Sequence, residues 1–212
     1  ESIERALAQI RMTRMSQSEL AQIIRNGLDR VQMTAHPDAV NRIVTLSQGL
    51  PHYTHLVSLY AARRANSNDR LDMLSEDVEA GVRNAVENAQ ESLVSAHHRA
   101  TMSPRPANLY PMVALACALA PTDTRGYFQA SDVRRPMQVI AQREYEIPAF
   151  SQHLNDFCEG RRGPILRKIG EKRRFRFRFI NPLLQPFIIM NGLATQMIDI
   201  GRLDDLQRND PS

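Results

Sequence analysis

From Arg174 to Phe179 the sequence alternates strictly, Arg-Phe-Arg-Phe-Arg-Phe. Successive side chains of a β-strand point to opposite faces, so Phe175, Phe177 and Phe179 share one face and Arg174, Arg176 and Arg178 the other. The aromatic face can seat on a core and leave the guanidinium face in water. Ile165 to Ile169 supplies a first arm and Gly170-Glu171-Lys172-Arg173 the turn, which makes the stretch a two-stranded hairpin. An edge strand kept from aggregating by charge is one reading of such alternation. Arg161, Arg162, Arg167, Lys168, Lys172 and Arg173 argue for another, because they crowd the same stretch and are opposed only by Glu159 and Glu171. A solvated edge does not need that imbalance; a surface that faces phosphates does.

Composition narrows the rest. The 212 residues allow one large domain or two small ones, and 42% hydrophobic content is enough for real cores. The net charge of +4 is a local excess that sits in the hairpin. Outside it the balance turns mildly acidic, most clearly from Glu76 to Glu91. Cys117 and Cys158 lie among apolar residues and match no zinc or redox spacing, which suits two core thiols in a reducing cytoplasm and leaves a disulfide open. There is no signal peptide and no apolar run long enough to cross a bilayer. Pro182 to Leu193 is too short and is interrupted by prolines. The sequence begins at Glu1 without an initiator methionine, so we expect a longer parent protein.

In chain order, Glu1 to Ala8 reads as the end of a helix and Gln9 to Thr13 as a half-buried strand. Ser16 and Glu19 form a capping box that opens a helix reaching about Val31. A second helix starts at Pro37 and ends at Gly49. A third runs from Pro51 to about Ala65 and is expected to bury Leu56, Leu59 and Tyr60. Asn66 to Asp72 reads as a polar linker. Ser75 then opens one long helix carrying Val78, Val82, Val86, Ala89 and Leu93 at helical spacing. Thr101 to Asn108, with Pro104 and Pro106, is the clearest boundary. Beyond it come an apolar helix from Leu109 to Leu119, a short strand at Tyr127-Phe128-Gln129, and a helix from Ala130 to Gln142 capped by Ser131 or its neighbour. A helix opening at Pro148, the basic hairpin and an apolar helix from Pro182 to Leu193 follow. Asp199 to Ser212 is polar and expected to fray. The predicted fold is mainly α: a helical bundle followed by a winged helix-turn-helix with a small β-hairpin wing.

Residues 9 to 99 resemble the last strand and helical lid of an AAA+ ATPase. Residues 107 to 193 resemble the winged-helix domain that follows the lid in ATPases of the replication-initiator, origin-recognition type. The best local matches are Arg14-Met15-Ser16 with Glu19-Leu20, at the strand-to-lid junction, and Gly49-Leu50-Pro51-His52. The resemblance implies a division into the end of an ATPase core (1–15), a lid (16–100), a winged-helix domain (107–195) and a polar tail (196–212). In such lids a Gly-x-Pro-Arg stretch brings an arginine to the nucleotide phosphates as sensor 2. Here His52 stands at that place, and a neutral histidine offers one hydrogen bond in place of a permanent cation. No Gly-rich loop ending in Gly-Lys-Ser/Thr occurs, and no apolar strand ends in paired acids for magnesium. The ATP and magnesium that the resemblance implies therefore belong to a core upstream. This chain alone is expected not to hydrolyse ATP.

No catalytic constellation is visible. His52 and His55 have metal-ligand spacing but lack a third ligand. His97-His98 close a helix, where they suit its negative end, and His153 and Cys158 are placed on diverging faces of one helix. Asp77, Glu79, Glu87 and Glu91 read as a solvated face. Nucleic-acid binding is the stronger reading. In a winged helix-turn-helix the second helix enters the major groove and the wing touches backbone or minor groove. Here that helix runs from Pro148 to Cys158 with Ser151, Gln152, His153 and Asn155 outward, and Gln and Asn can pair with adenine. Arg161, Arg162, Lys168, Lys172, Arg173, Arg174, Arg176 and Arg178 supply phosphate contacts. Asp156 and Glu159 at the helix end would repel a backbone, so binding led by the wing without sharp sequence reading is expected. The alternative is a signal-transduction (STAND-type) ATPase, in which the winged helix is a protein-interaction or autoinhibitory switch that binds no DNA. Its Arg face would then meet acid on the missing core, on another subunit, or on the Glu76 to Glu91 helix.

Overall fold

A computed structural model of the chain describes residues 14–104, 108–171 and 174–208. The helix end and strand expected within residues 1–13 lie outside them. The described residues form ten α-helices and two small sheets. The first part comprises α1 (Gln17–Asp29), β1 (Thr34–Ala35), α2 (Pro37–Ser47), α3 (Pro51–Ser67), β2 (Asp72–Met73), α4 (Ser75–Glu87) and α5 (Glu91–Thr101). The second comprises α6 (Tyr110–Leu119), β3 (Phe128–Gln129), α7 (Ala130–Ala141), α8 (Ile147–Asp156), a 3-10 turn (Gly160–Arg162), β4 (Leu166–Ile169), β5 (Arg176–Phe179), α9 (Leu184–Ala194) and α10 (Ile200–Arg208). The fold class is as predicted, helices around a small winged sheet.

Local chemistry sets the helix starts. The Ser16 hydroxyl accepts from the Glu19 amide at 3.3 Å, while Glu19 accepts from the Ser16 amide at 2.7 Å. Both orphan donors of the first turn are thereby satisfied. The Ser16 hydroxyl, which also donates to the Glu19 carboxylate at 2.7 Å, and the Ser16 amide pull that carboxyl below its ordinary pKa. At α7 the cap falls to Asp132, which accepts from the Gln129 amide at 2.7 Å, and not to Ser131.

Four expectations are corrected. The long helix from Ser75 breaks at Asn88, whose side chain bonds back to the Asn84 carbonyl at 2.9 Å, and α5 begins afresh at Glu91. The linker from Asn66 to Asp72 ends in a strand: Thr34 and Ala35 pair in parallel with Asp72 and Met73. The tail forms α10, because Ile198, Leu203 and Leu206 are buried and α10 packs on α7. On α3 the buried face is Tyr53, Thr54, Val57, Ala61 and Ala65, whereas Leu59 is exposed.

The last correction has a steric cause. A Cβ on Gly81 of α4 would stand 3.0 Å from the Ala61 amide nitrogen and 3.1 Å from the Val57 carbonyl oxygen. Val57 and Ala61 thus face α4 at backbone contact, and Leu59, two residues from each and so about 200° around the helix, falls on the opposite side.

Asp77 is likewise inside rather than on a solvated face. Buried at 1% exposure, it takes two bonds from Arg70, at 2.7 and 2.9 Å, and a third from the Leu74 amide at 2.9 Å. It caps α4 and ties down the loop after α3 in one step.

The two parts share one continuous apolar core. Its centre is α9, of whose 11 residues eight are buried, and which packs on α2, α4 and α5 from the first part and on α6 from the second. A helix that is apolar all round must be enclosed on all sides. Its one buried polar side chain is satisfied: the Gln185 amide donates to the Ala118 carbonyl at 2.9 Å and its oxygen accepts from Arg14 at 2.7 Å. Arg14 also donates to the Gln48 carbonyl at 2.7 Å, and Tyr53 donates to the Leu183 carbonyl at 2.8 Å.

Two glycines within helices separate packing from propensity. An added Cβ at Gly27 of α1 meets nothing within 4 Å. We therefore expect Gly27→Ala to stabilise by about 1 kcal/mol through helix propensity. Gly81→Ala, which pushes against backbone, is expected to destabilise by about 1–3 kcal/mol despite the same propensity gain. Urea denaturation of both variants checks this; changes of the same sign would refute the close α3–α4 approach.

Candidate nucleic-acid interface

Three strands build the wing in the order β3-β5-β4, all antiparallel. Phe128 pairs with Phe177, and Leu166 with Phe179. Their side chains fill the inner face: Phe128, Leu166, Phe177 and Phe179 are all buried. The alternation therefore works as the sequence predicted, with Phe175 half-buried against the same core. The hairpin is fastened to the end of α8, where the Phe157 carbonyl accepts from the amides of Ile165 and Leu166 at 2.9 and 3.0 Å.

The outer face carries Arg167, Arg176 and Arg178. Arg167 sits directly opposite Arg178 in the register, a like-charge pairing that works against sheet stability. Arg176 and Arg178 flank the ring of Tyr127, their guanidinium carbons 5.2 and 5.0 Å from its centroid. Tyr127 comes from a turn held by Asp123, which accepts from the Arg125 and Tyr127 amides at 2.9 Å each. The other Asp123 oxygen pairs with Arg176 at 3.0 Å. So the acidic surface that the wing meets within the described residues is Asp123. Arg174 and Arg161 are exposed; Lys172 and Arg173 lie outside the described residues.

Two of the expected cations have other posts. Lys168 faces α8, donating to the Asn155 side-chain oxygen at 2.8 Å with its ammonium 4.6 Å over the Phe175 ring. Arg162 is not on the wing face. Its guanidinium lies 3.3 Å over the Tyr110 ring and donates to the carbonyls of Ala100 and Met102 at 2.8 and 2.9 Å. It caps the end of α5 and clasps the first part to the second.

On α8 the polar face is largely occupied by its own neighbours. Asp156 is buried and accepts from the Tyr110 hydroxyl at 2.5 Å and from Gln152 at 2.7 Å. Burial acts to raise its pKa, but those two bonds together with Arg161 and Arg162 outweigh it and the net shift is downward. Asp156 is thus not the exposed repelling charge expected from the sequence. Asn155 donates to the Ser151 carbonyl at 3.1 Å. His153 does not face outward: its ring packs edge-on to Tyr110, centroids 4.5 Å apart. Ser151 is half-buried and Gln152 exposed.

Tyr127 and Asp123 were not singled out from the sequence. Their signal was present: Tyr127 precedes Phe128 on a strand, so it falls on the Arg face, and Asp123 stands three residues before Gly126 in a turn.

Away from the wing, His52 is exposed in the first turn of α3 with its ring edge-on to Tyr53. Among the described residues no group of three metal-ligating side chains exists. Cys117 and Cys158 are free thiols; burial raises both, Cys158 to about 11, and keeps them protonated and unreactive. None of the helices among the described residues is long and apolar enough to cross a membrane.

Comparison with protein-family models and with curated proteins finds no match. Among solved structures the chain is similar to Cdc6p from Pyrobaculum aerophilum, at 15% identity and a TM-score of 0.30, over 88% of this chain and 50% of that one. The chain spans about half the length of that protein. The fold assignment rests on the order of elements: a helical bundle, then helix, strand, two helices and a two-stranded wing that closes on the first strand.

Burial holds His97 and His153 below the ordinary histidine pKa, His97 helped by His98. Above about pH 6.5 both rings are neutral whether folded or not; below it the unfolded chain takes up protons that the folded chain resists. Stability is then complete above that pH and lost as pH falls toward the folded-state values. We expect the melting temperature to drop between about pH 7 and pH 5, and to drop less in His97→Phe/His153→Phe. A wild-type midpoint that rises on acidification in this window would overturn the assignment.

Proposed function

We propose that this chain is the lid and winged-helix region of an AAA+-like ATP-binding protein and that it holds duplex DNA through the outer face of its winged sheet. The observation that carries the reading is the cross-strand pair Arg167–Arg178 beside Arg176 and Tyr127. Like charges set opposite one another on an exposed face work against the fold, and a phosphate backbone removes that repulsion. The aromatic ring between two guanidiniums offers a flat contact for sugar or base without demanding a sequence. Base reading by α8 would first have to break the Gln152–Asp156 and Lys168–Asn155 bonds. Affinity therefore comes from backbone contacts, and sequence preference is slight. ATP and magnesium act on the ATPase core of the parent protein; His52 is the side chain in this chain that would reach a nucleotide phosphate. Other subunits of the parent are further expected partners.

Binding to a random-sequence labelled duplex across a salt series tests the proposal. About four phosphate contacts give a slope of roughly −3.6 for log affinity against log salt. Arg167→Glu/Arg174→Glu, both at exposed positions, should abolish binding while leaving the melting temperature unchanged or slightly raised, because the Arg167–Arg178 repulsion is relieved. Absence of binding at low salt would sink the reading and favour a protein-facing wing.

A further inference from the structure

A groove of about 450 Å³ runs between α1 and α3, far along the sequence from the wing. Ile23 and Leu28 of α1, Val31 in the turn after it, Leu59 and Ala62 of α3, and Leu71 before β2 form most of its wall. Val31, Leu59 and Leu71 are 58%, 46% and 61% exposed. They are three of the six most exposed large apolar side chains among the described residues, gathered at one place. Scattered single apolar residues need no explanation; a lined apolar groove does.

Two further features mark it as built to be filled. Gly27 lies in its lining, in the last turn of α1 and still helical, where alanine has the higher propensity. Among the described residues nothing stands within 4 Å of the Cβ that it lacks, so no contact among them asks for glycine there. Ser58, also in the lining, has a buried hydroxyl with no hydrogen-bond partner. Close approach by a visiting chain would explain the first and can satisfy the second.

We propose that this groove docks an amphipathic helix of a protein partner, with acidic residues flanking its apolar face. The dimensions fit a helix. From Ile23 to the end of α1 at Asp29 is six steps, about 9 Å, with Val31 in the turn beyond, and anchors at i, i+3 or i+4 and i+7 of a docked helix span about 10 Å. The sign of the partner follows from the lining. Among the described residues Arg63 is its one fully charged side chain, His55 lies beside it, and no carboxylate takes part; outside the lining the exposed Asp29 and Arg30 offset one another.

The test uses the whole chain and two short helical peptides with leucines at the same i, i+4, i+7 spacing, one flanked by glutamates and the other by lysines. By fluorescence anisotropy the Glu peptide should bind in the micromolar range and the Lys peptide at least about tenfold more weakly. Gly27→Leu, whose Cβ meets nothing within 4 Å among the described residues and whose side chain would enter the groove, should weaken the Glu peptide by about tenfold or more with no loss of melting temperature. Arg63→Glu should reverse the preference between the peptides. Several results would overturn the proposal: no binding of the Glu peptide at millimolar concentration, equal binding of a peptide with scrambled leucine spacing, or unchanged affinity in Gly27→Leu. Two others would assign the groove elsewhere and equally end it. One is a dimer in sedimentation that Gly27→Leu disperses, which makes the occupant a second copy. The other is tighter binding to lipid vesicles than to the peptide.

Discussion

The architecture depends on enclosing α9. A helix with apolar residues on every side has no face to show to water, so it must be surrounded, and here the surrounding elements come from both ends of the sequence. The packing fixes where polar groups are allowed. Gln185, 1% exposed, is admitted because each part of its amide has a partner: Arg14 donates to its oxygen, and its nitrogen donates to the Ala118 carbonyl and the Gln48 side-chain oxygen. An amide buried without those partners would lose its bonds to water with nothing in return. The cluster therefore selects one arrangement of the first part against the second, which apolar contacts alone would leave free to slide.

The second clasp is at Tyr110. Arg162 stacks on its ring and caps the carbonyls that end α5, while its hydroxyl holds Asp156 at the end of α8. Charge density in a sequence therefore does not map directly onto a binding face. Of the cations crowded between Arg161 and Arg178, one secures the junction between the two parts, one braces the wing against α8, and the outer face keeps a smaller set arranged around Tyr127. That smaller set includes two arginines directly opposite each other, which is the arrangement an anion would favour and a bare sheet would not.

What was legible in the sequence was what local geometry decides. The Arg-Phe alternation has the period of a strand and no other regular structure, so wing and inner face followed from six residues. Ser16 with Glu19 fixed the start of α1, and Phe128 was placed on a strand by its neighbours. What was not legible depends on distant partners. Leu59 looked like core by type, yet Val57 and Ala61 are the residues that meet Gly81 of α4, which leaves Leu59 on the far side of the helix. Asp77 looked solvated until Arg70 folded over it. Arg162 looked like its basic neighbours because nothing local shows that the end of α5 lies within reach. The tail looked polar, and Leu203 and Leu206 were too few to signal a helix without α7 to receive them.

These contacts give the proposed function a mechanical consequence. Arg14 stands immediately before α1 and grips the Gln48 carbonyl ahead of α3 as well as Gln185 in α9. Burial lowers its pKa from the ordinary arginine value, and it has no carboxylate in these contacts, so its charge is held by neutral oxygens alone. Displacing the backbone at Arg14 must either break both bonds and strand a half-buried guanidinium or carry α9 along. Breaking them is the costlier course, because a buried charge without partners is among the least tolerable groups in a fold. Strand β5 runs through Ile180 to Asn181, whose side chain caps the Leu183 amide at the head of α9. Under the proposed function, a shift at Arg14 would have a bonded route through one buried helix to the strand bearing Arg176 and Arg178. A nucleotide-dependent movement upstream would then reach the wing without any contact between the nucleotide and the winged helix.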